Sequence, residues 1–283
     1  MRPFGFGLLI LSVLAINAYA DPILGTAASY AVLGASTVTN TGATTLNGNL
    51  GLWPGTSITG SGTIILNGVV NIANGPAQTA QNDALTGYNA LAGLPVSETL
   101  TGQDLGTVGT LDAGVYFFKT SAQLTGALTL NFAGASDENI VFQIGSTLTT
   151  ASNSSVLIEN AGSDDNVYWQ VGSSATLGTG TSFAGSIIAE DSVTMNTGAT
   201  DGCGSVIALT AAVTLQGNTI STGCTISTTA GPGGVPPVGT VTPTPFTGGT
   251  TAQLPEGGST LLYLCFFLVP IGATLAFYRR SSV

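Results

Sequence analysis

The chain of 283 residues contains no histidine, and its four basic residues face 14 acidic ones, which gives a formal net charge of -10. Without histidine, a Ser/His/Asp triad, a Cys/His dyad and an imidazole metal ligand are all excluded. Arg2, Arg279 and Arg280 lie at the ends of the chain, and Lys119 is the only basic residue between them. Because a phosphate backbone is bound by several Lys and Arg side chains together, nucleic-acid binding is also excluded.

Charged residues are scarce, at 6% of the chain, and this restricts catalysis further. The acidic pairs Asp137-Glu138, Asp164-Asp165 and Glu190-Asp191 stand in polar, turn-like contexts. We interpret them as solvated turn residues; a calcium site is the alternative, although these oxygen ligands lack a loop signature. The sequence therefore predicts a protein that is not an enzyme and that needs no cofactor and no metal.

The chain is rich in glycine, with 40 residues, and in threonine within short repeated segments. The segment Gly185–Ala189 recurs about 20 residues later as Gly204–Ala208, and Val193-Thr194-Met195 recurs as Val213-Thr214-Leu215. Short alternating strands and glycine turns at this period are typical of a β-solenoid, whose coils bury their inner faces by stacking. We therefore expect a mainly β fold.

Alternation within the repeats predicts which side chains face outward. In Val193-Thr194-Met195 and Val213-Thr214-Leu215, the two apolar residues point to one side of the strand and Thr points to the other. The apolar residues are expected to face the core. Thr194 and Thr214 are then displayed on the surface, and Thr147 and Thr176 are predicted to join them in one row.

The segment 76–92 departs from the strand pattern. It begins with Pro76 and stops before Gly93, which suit the first turn and the end of a helix. Its small or apolar residues recur every three or four positions, at Ala77, Ala80, Ala84, Tyr88 and Leu91. We predict one amphipathic helix over about 76–92 that lies along the flank of the solenoid.

The N-terminal segment is typical of an exported protein. Residues 1–20 combine the early Arg2, an apolar run and the small-x-small ending Ala18-Tyr19-Ala20, which predicts a signal peptide; an N-terminal membrane anchor is the alternative. The solenoid is then expected over 21–227. The uncharged segment 228–253, rich in Pro, Gly and Thr, is expected to be a semi-extended linker.

Residues 254–283 are predicted to form a sorting signal followed by a transmembrane tail. The uncharged apolar run 261–278 precedes Arg279 and Arg280, and Leu254-Pro255-Glu256-Gly257 stands upstream. This order of a Pro-Glu-Gly signal, an apolar helix and an Arg pair resembles the PEP-CTERM tail that an exosortase processes. It is also similar to the LPxTG signal of sortases, except that Gly257 replaces the Thr; a plain membrane anchor is the third alternative.

Several separated segments resemble one known family. They are Ala31–Gly34, Gly48–Gly51, Pro54–Gly60, Gly114–Tyr116, Phe142–Leu148 and Trp169–Thr179. In this order, around an Ala-rich helix and over about residues 23–226, they resemble the microbial ice-binding protein family of the DUF3494 type. The resemblance implies a discontinuous right-handed β-helix of triangular cross-section, flanked by one long α-helix, in which N-terminal strands insert out of sequence order.

Some members of that family carry a T-[A/G]-x-[T/N] motif on the face that contacts ice. Here 41–44, 150–153 and 197–200 match the motif, and 179–182 matches except for Ser at the last place. Together with the outward Thr residues, the resemblance implies an ice-binding set: Thr41, Thr44, Thr147, Thr150, Asn153, Thr176, Thr179, Thr181, Ser182, Thr194, Thr197 and Thr200. The sequence leaves open which solenoid face this is, and each Thr is also an ordinary strand or turn residue.

We therefore expect a non-enzymatic ice-binding protein that is exported, displayed at the cell surface and monomeric. Its expected partners are the ice crystal surface, an exosortase-type processing enzyme and, through the C-terminal helix, the membrane. The alternative is a tethered adhesin or extracellular-matrix solenoid that binds a polysaccharide. Cys203 and Cys224 lie about one coil apart, which is compatible with a disulfide between adjacent coils, whereas Cys265 lies in the tail.

Overall fold

The computed structural model of the protein describes residues 23–226 and 241–243. The predicted signal peptide and C-terminal tail lie outside these residues, as does the predicted linker apart from 241–243. Within the described part of the chain, no helix is both long and apolar enough to span a membrane. The boundaries of these outer segments remain predictions.

The described chain begins with short strands. After the 3-10 turn Gly25–Ser29 come β1 (Tyr30–Gly34), β2 (Thr37–Thr41), β3 (Thr44–Asn47), β4 (Asn49–Leu52), β5 (Ser57–Thr59), β6 (Ile64–Asn67) and β7 (Val70–Ile72), with a second 3-10 turn at Ser61–Thr63. Gly, Asn and Ser stand between many of these strands, because they favour tight turns.

The predicted helix is present as α1 (Gly75–Ala92). Asn74 caps its N-terminus by accepting a hydrogen bond from the backbone N–H of Ala77 at 3.1 Å, and Pro76 occupies its first turn. Both features stabilise a helix start, because they satisfy or remove backbone donors that have no partner within the helix.

Beyond the helix the chain returns to short strands. These are β8 (Glu98–Thr99), β9 (Thr110–Asp112), β10 (Gly114–Phe118), β11 (Ala122–Leu124), β12 (Ala127–Asn131), β13 (Asn139–Ile144), β14 (Leu148–Thr150), β15 (Ser155–Glu159), β16 (Asn166–Val171), β17 (Ala175–Leu177), β18 (Ser182–Phe183), β19 (Ser186–Ala189), β20 (Val193–Met195), β21 (Thr200–Asp201), β22 (Val206–Ala208), β23 (Val213–Gln216) and β24 (Thr219–Ser221). A separate antiparallel pair joins β25 (Cys224–Ile226) to β26 (Val241–Pro243).

The strands β1 to β24 form three parallel sheets. Sheet A has the order β7-β4-β1-β22-β19-β16-β13-β10-β8, sheet B has β11-β14-β17-β20-β23-β2-β5, and sheet C has β6-β3-β24-β21-β18-β15-β12-β9. From β1 to β7 and from β10 to β24, successive strands enter sheets A, B and C in turn, whereas β8 and β9, after the helix, enter sheets A and C only. Each complete coil therefore contributes one strand to each sheet. This arrangement confirms the predicted mainly β fold with one helix.

The stacking order of the coils differs from their order in the sequence. The N-terminal strand β1 pairs with β22, β2 pairs with β23, and β3 pairs with β24. Helix α1 then connects β7, at one end of sheet A, to β8, at the other end. The N-terminal coils therefore stack on the C-terminal coil, as the family resemblance implied.

Helix α1 covers the outer face of sheet A. Its residues Ala80, Ala84 and Leu91 are fully buried in a cluster with six sheet A side chains: Tyr30, Leu33, Val141, Tyr168, Ile188 and Ile207. The buried Gln143 of β13 donates from Nε2 to the backbone oxygens of Leu91 at 2.7 Å and Leu94 at 3.0 Å. Sheet A thus has both faces covered, which leaves the outer faces of sheets B and C open.

The inward side chains of the three sheets form one hydrophobic core. Its largest members stack along the coils: the ring centroids of Tyr116 and Phe142 are 5.6 Å apart, those of Phe142 and Trp169 3.9 Å, and those of Trp169 and Phe183 4.9 Å. Trp169 also donates from Nε1 to the backbone oxygen of Ala184 at 3.1 Å. The aromatic residues therefore hold coils together and are not available to bind a ligand.

Candidate functional site

A row of threonines runs along the middle of the outer face of sheet B. Backbone register sets Thr149 beside Thr176, Thr176 beside Thr194, and Thr194 beside Thr214. The row continues across the N-terminal coils, where Thr214 stands beside Thr39 and Thr39 beside Thr59. We call this set the central row: Thr149, Thr176, Thr194, Thr214, Thr39 and Thr59, with Gln123 at its far end.

The hydroxyl groups of the central row point to solvent. Thr176, Thr194, Thr214 and Thr39 are half-buried, and Thr149 and Thr59 are exposed. None of the six hydroxyls has a hydrogen-bond partner among the described residues. Neighbouring strands of a sheet lie ~4.8 Å apart, so the row presents its hydroxyl and methyl groups at that interval. Because Thr is β-branched, its χ1 angle is restricted, and little side-chain freedom remains to be lost on binding.

A first row runs beside the central row, at the residue that precedes each strand of sheet B or begins it. Its members are Ser121, Thr147, Ser174, Ser192, Ala212, Thr37 and Ser57, and backbone hydrogen bonds to the following strands fix their alignment. Thr147 donates to Ser121 at 2.8 Å, and the hydroxyls of Ser174 and Ser192 lie 3.0 Å apart. These hydroxyls are partly engaged with one another, unlike those of the central row.

A corner row follows sheet B on the other side, where each coil turns towards sheet C. Its members are Ser152, Thr179, Thr197, Gln216 and Thr41, aligned by backbone hydrogen bonds and by the pairing of Thr41 with Gln216. Asn153, Gly180, Gly198, Gly217 and Gly42 follow them and all have positive φ, from 60° to 82°. This conformation favours glycine, and its repetition explains why the turn motif recurs in the sequence.

The three rows contain no charged side chain. The acidic residues nearest along the chain are Glu190 and Asp191, at the corner between sheets A and B, where Asp191 accepts a hydrogen bond from Ser173 at 2.8 Å. The outer face of sheet B therefore presents a regular array of mainly hydroxyl and methyl groups. Charged side chains lie at its edges and not within it.

The structure brings part of the predicted set together on this face. Thr176 and Thr194 lie in the central row, and Thr41, Thr179 and Thr197 lie in the corner row. Asn153 is exposed at the corner with φ of 60°. Ser182 and Thr200 belong instead to sheet C, where they pair with each other at the start of β18 and β21.

Thr147 does not occupy its predicted position. The residue beside Thr176 is Thr149, and Thr147 lies two places earlier, in the first row. The prediction aligned the pair Thr147-Leu148 with Thr176-Leu177, whereas the strand register pairs Leu148 with Ala175 and Thr149 with Thr176. Thr147 is still on the outer side of sheet B.

Thr44, Thr150 and Thr181 were predicted to contact ice, and for these three the prediction is wrong. Their exposed fractions are 0%, 2% and 0%. The hydroxyls of Thr150 and Thr181 are 2.8 Å apart, and Thr150 also accepts a hydrogen bond from the backbone N–H of Gly178 at 2.8 Å. Thr44 donates to Asn40 at 2.6 Å. These residues join the coils from inside the corner between sheets B and C.

Sequence reasoning missed four members of the central row as site residues, namely Thr39, Thr59, Thr149 and Thr214. A signal for two of them was present. Thr214 had been predicted to face outward, and Val38-Thr39 repeats the Val-Thr start of Val213-Thr214 and Val193-Thr194. The out-of-order insertion of β2 beside β23 is what makes Thr39 a neighbour of Thr214.

The outer face of sheet C is less uniform. Its first row contains Ala127, Ser155, Ser182, Thr200, Thr219, Thr45 and Ile65. A further row contains Asp112, Asn131 and Glu159, so one carboxylate lies on each side of the Asn131 amide. Charged and apolar side chains therefore interrupt the pattern that sheet B maintains.

One carboxyl group lies inside the solenoid. Asp201 of β21 is fully buried; its Oδ1 accepts a hydrogen bond from the backbone N–H of Cys203 at 3.3 Å, and its Oδ2 has no partner among the described residues. Burial raises the pKa of Asp201 from 3.8 to about 7. Cys203 is disulfide-bonded. Its pairing with Cys224 remains a prediction, because the side chain of Cys224 lies outside the described residues.

Within the described residues, no cluster of His, Cys, Asp and Glu could hold a metal ion. The acidic pair Asp164-Asp165 takes part in local turn bonding: Asp165 accepts hydrogen bonds from the backbone N–H groups of Glu138 at 2.9 Å and Gly162 at 2.7 Å. This agrees with the interpretation of Asp164-Asp165 as turn residues.

Proteins with similar sequences are known from several bacteria. An ice-binding protein of Nostoc sp. (strain HG1) is 47% identical over 223 residues, covering 76% of this chain and 82% of the relative. An ice-binding protein of Colwellia sp is 31% identical over 229 residues, covering 74% of this chain and 87% of the relative.

Solved structures of ice-binding proteins share this fold. One from an Antarctic biological consortium is 41% identical, with a TM-score of 0.66, and the match covers 74% of this chain and 96% of that chain. One from the Antarctic ascomycete Antarctomyces psychrotrophicus is 37% identical, with a TM-score of 0.67, covering 71% and 97%. The family described as Ice-binding-like matches residues 32–221, which is most of the described solenoid. By this family match, and by its identity with the Nostoc protein over most of both chains, this chain belongs to the ice-binding-like family.

Proposed function

We propose that this protein binds ice through the outer face of sheet B. The observation that carries the proposal is the central row, in which Thr residues of six successive coils stand in register. The relatives, which are ice-binding proteins by name, support the same function. The alternative of a polysaccharide-binding adhesin finds no support among them.

The geometry of the face explains how it would act. Neighbouring residues within a row lie ~4.8 Å apart from coil to coil, and the rows themselves lie ~6.6 Å apart along each strand, so the hydroxyls form a two-dimensional grid. Each hydroxyl holds a first-shell water, while the neighbouring methyl groups limit other arrangements of that water. Water ordered on a rigid grid can merge with the surface of a crystal, and many weak contacts then add up.

The absence of charge on the face matters equally. A charged side chain orients several waters strongly around itself, in a geometry that the charge dictates. The three rows of sheet B contain no such side chain. Adsorption of this face to ice would slow the growth or recrystallisation of the crystal.

The finer features of the protein belong to the same proposal. We infer a right-handed solenoid of triangular cross-section, as the resemblance implies. The signal-peptide pattern of residues 1–20 supports export, and the tail 254–283 supports display at the cell surface with exosortase-type processing. The protein acts on ice by adsorption and not by catalysis.

Partition into ice tests the function directly. The chain is mixed with an acidic protein of similar size that has no affinity for ice, and a hemisphere of ice is grown slowly in the mixture. The proposal predicts that the chain is enriched in the ice while the control stays in the liquid. Equal exclusion of both proteins, with circular dichroism showing that the chain is folded, would overturn it.

A further inference from the structure

The two ends of the described solenoid differ in how they are closed. At one end, β7, β5 and β6 are the last strands of sheets A, B and C, and each pairs with a neighbour on one side only. We call this surface, formed by residues 57–72, the open end. At the opposite end, the segment 98–112 lies over the coil formed by β10, β11 and β12.

The opposite end keeps its apolar residues buried. Leu100, Leu105 and Leu111 are exposed by only 1%, 0% and 6%. The backbone N–H of Leu105 donates to the oxygen of Gln123 at 2.8 Å, which holds the segment on the coil. Glu98 and Asp112 stand on its edge strands, and such charges discourage the addition of a further strand. This end is closed and protected.

The open end leaves core positions uncovered. Val70 and Ile72 of β7 stand beside Leu50 and Leu52, which are buried, yet Val70 is 47% exposed and Ile72 38% exposed. Val69, at 60%, adds to the same surface. These side chains face the position that another coil would fill, and a solenoid normally needs a polar cap there.

The open end also lacks the features that keep strand edges apart. Residues 57–72 contain no charged residue and no proline, and the chain has no charged residue at all from 22 to 82. Exposed, uncharged apolar edges of this kind are templates for pairing with another strand. The rest of the molecule carries the acidic residues, so two copies repel each other elsewhere but not at this surface.

We propose that the open end binds the open end of a second copy of this chain. A partner for three strand edges and an apolar core layer must itself offer strand edges and an apolar layer, and another open end offers both. A two-fold axis across the stack would set the strand edges of the two copies antiparallel and bury Val70 and Ile72 of both copies. The inference replaces the expectation of a monomer and does not depend on the proposed function.

Asn67 supports a contact between like surfaces. A ladder of amides runs to the open end: Asn47 donates to Ser221 at 2.8 Å, and Asn67 donates to Asn47 at 2.7 Å. The Oδ1 atom of Asn67 has no partner among the described residues. At the contact with a second copy, the amides of the two Asn67 residues can continue the ladder, because each offers both a donor and an acceptor.

Cross-linking of the full chain tests the proposal. Val69→Cys places a thiol at the open end, and the matched variant Thr125→Cys places one on an exposed residue beside the closed end. Both variants and the parent chain, whose own cysteines set the background, are treated with a flexible bismaleimide at micromolar concentration. Products are separated on denaturing gels, and circular dichroism checks that each variant is folded.

The proposal predicts a product of twice the chain mass for Val69→Cys, at least about fivefold above the parent and above Thr125→Cys. Adding Val70→Lys and Ile72→Lys to Val69→Cys should return that product to the parent level, because the two exposed side chains would then carry like charges across the interface. Two outcomes would overturn the proposal: dimer formation no greater than that of Thr125→Cys, or a faster-migrating monomer showing that Val69→Cys is linked within its own chain.

Discussion

The outer faces of sheets B and C are built by the same coils and therefore share the same spacing between strands. They differ in chemistry. The central row of sheet B contains only Thr over six successive coils, whereas the first row of sheet C mixes Ala, Ser, Thr and Ile, and Asp112 and Glu159 stand nearby. Stacking alone therefore produces rows on any solenoid face. What distinguishes sheet B is that six of its seven strands supply the same stiff, uncharged Thr side chain to the central row.

Sheets B and C also differ in the side chains that they bury. This difference leads to the largest effect that we predict, a change in the free energy of unfolding with pH. The inward positions of β17 and β20 in sheet B are Leu177 and Met195, whereas β21 of sheet C buries Asp201. The folded chain raises the pKa of Asp201 to about 7, so it holds a proton that the unfolded chain releases above 3.8. This difference in proton binding stabilises the folded chain fully below pH 3.8, the pKa of Asp201 in the unfolded chain. The stabilisation is lost as the pH rises through about 7, the pKa of Asp201 in the folded chain.

We predict that Asp201→Asn abolishes this loss. A shift of about three pKa units corresponds to a change on the order of 4 kcal/mol in the free energy of unfolding between low and high pH. Urea unfolding at pH 4 and pH 8.5 measures it for the parent, for Asp201→Asn and for the exposed control Asp112→Asn. Between pH 4 and pH 8.5, the free energy of unfolding should fall for the parent and for Asp112→Asn but not for Asp201→Asn. An equal fall in all three chains would show that Asp201 is not the group responsible.

The covered sheet A provides the next contrast with the open sheet B. Gln143→Ala removes the donor that satisfies the backbone oxygens of Leu91 and Leu94, so the free energy of unfolding should fall by about 1–3 kcal/mol. Ice partition should not change, because sheet A does not face outward. Denaturant unfolding measures the first effect, with the exposed helix variant Gln78→Ala as control, expected within about 0.5 kcal/mol of the parent. A loss of ice partition by folded Gln143→Ala would contradict the comparison.

A bulky substitution sharpens the comparison between sheets B and C themselves. Thr194→Tyr in the central row should reduce ice affinity about tenfold, or ~1.4 kcal/mol, because the ring lifts the flat face away from the crystal. Thr219→Tyr, at a half-buried position of sheet C, is the matched control and should retain affinity. Partition of each labelled variant into a growing ice hemisphere gives the comparison. Equal losses for both variants would show that sheet B is not the preferred face.

The smallest effect separates two adjacent residues. Thr149→Ala removes one member of the central row and should lower ice affinity about threefold, or ~0.6 kcal/mol, with little change in stability. Thr150→Ala should do the reverse, since it leaves the buried N–H of Gly178 without its partner and removes one of the two hydrogen bonds of the Thr181 hydroxyl, at a cost of about 1–3 kcal/mol. Thermal unfolding and ice partition of both variants test this, and the opposite assignment of effects would refute the register.

Much of the fold could be predicted from the sequence because its signals are local. The alternation in Val193-Thr194-Met195 and Val213-Thr214-Leu215 predicts the direction of each side chain, and Pro76, the alanines and Gly93 predict α1. The period near 20 residues predicts stacking of coils. The insertion of β2 beside β23, by contrast, depends on contacts between distant parts of the chain; here it was implied by the resemblance alone.

The candidate site was harder to predict, because a one-place or two-place shift changes the direction of a side chain. Alignment of the sequence motifs places Thr150 beside Thr179. In the structure, Thr150 pairs with the inward-facing Leu124, and Ser152 is the residue that lies beside Thr179. Likewise, Thr44 follows a turn whose glycine has positive φ, and it faces the core. The T-[A/G]-x-[T/N] motif identifies the turns at the corner, but the strand register determines which Thr residues are exposed at the surface.

The measurement that tests the central claim most directly compares two doubly substituted chains in one ice hemisphere. One carries Thr176→Lys and Thr194→Lys on sheet B, and the other carries Ser182→Lys and Thr200→Lys on sheet C of the same two coils, so both gain the same charge. With distinguishable labels, the account predicts that the sheet C variant enters the ice like the parent and that the sheet B variant is excluded. Retention of the sheet B variant with exclusion of the folded sheet C variant would contradict the account and move ice binding to sheet C.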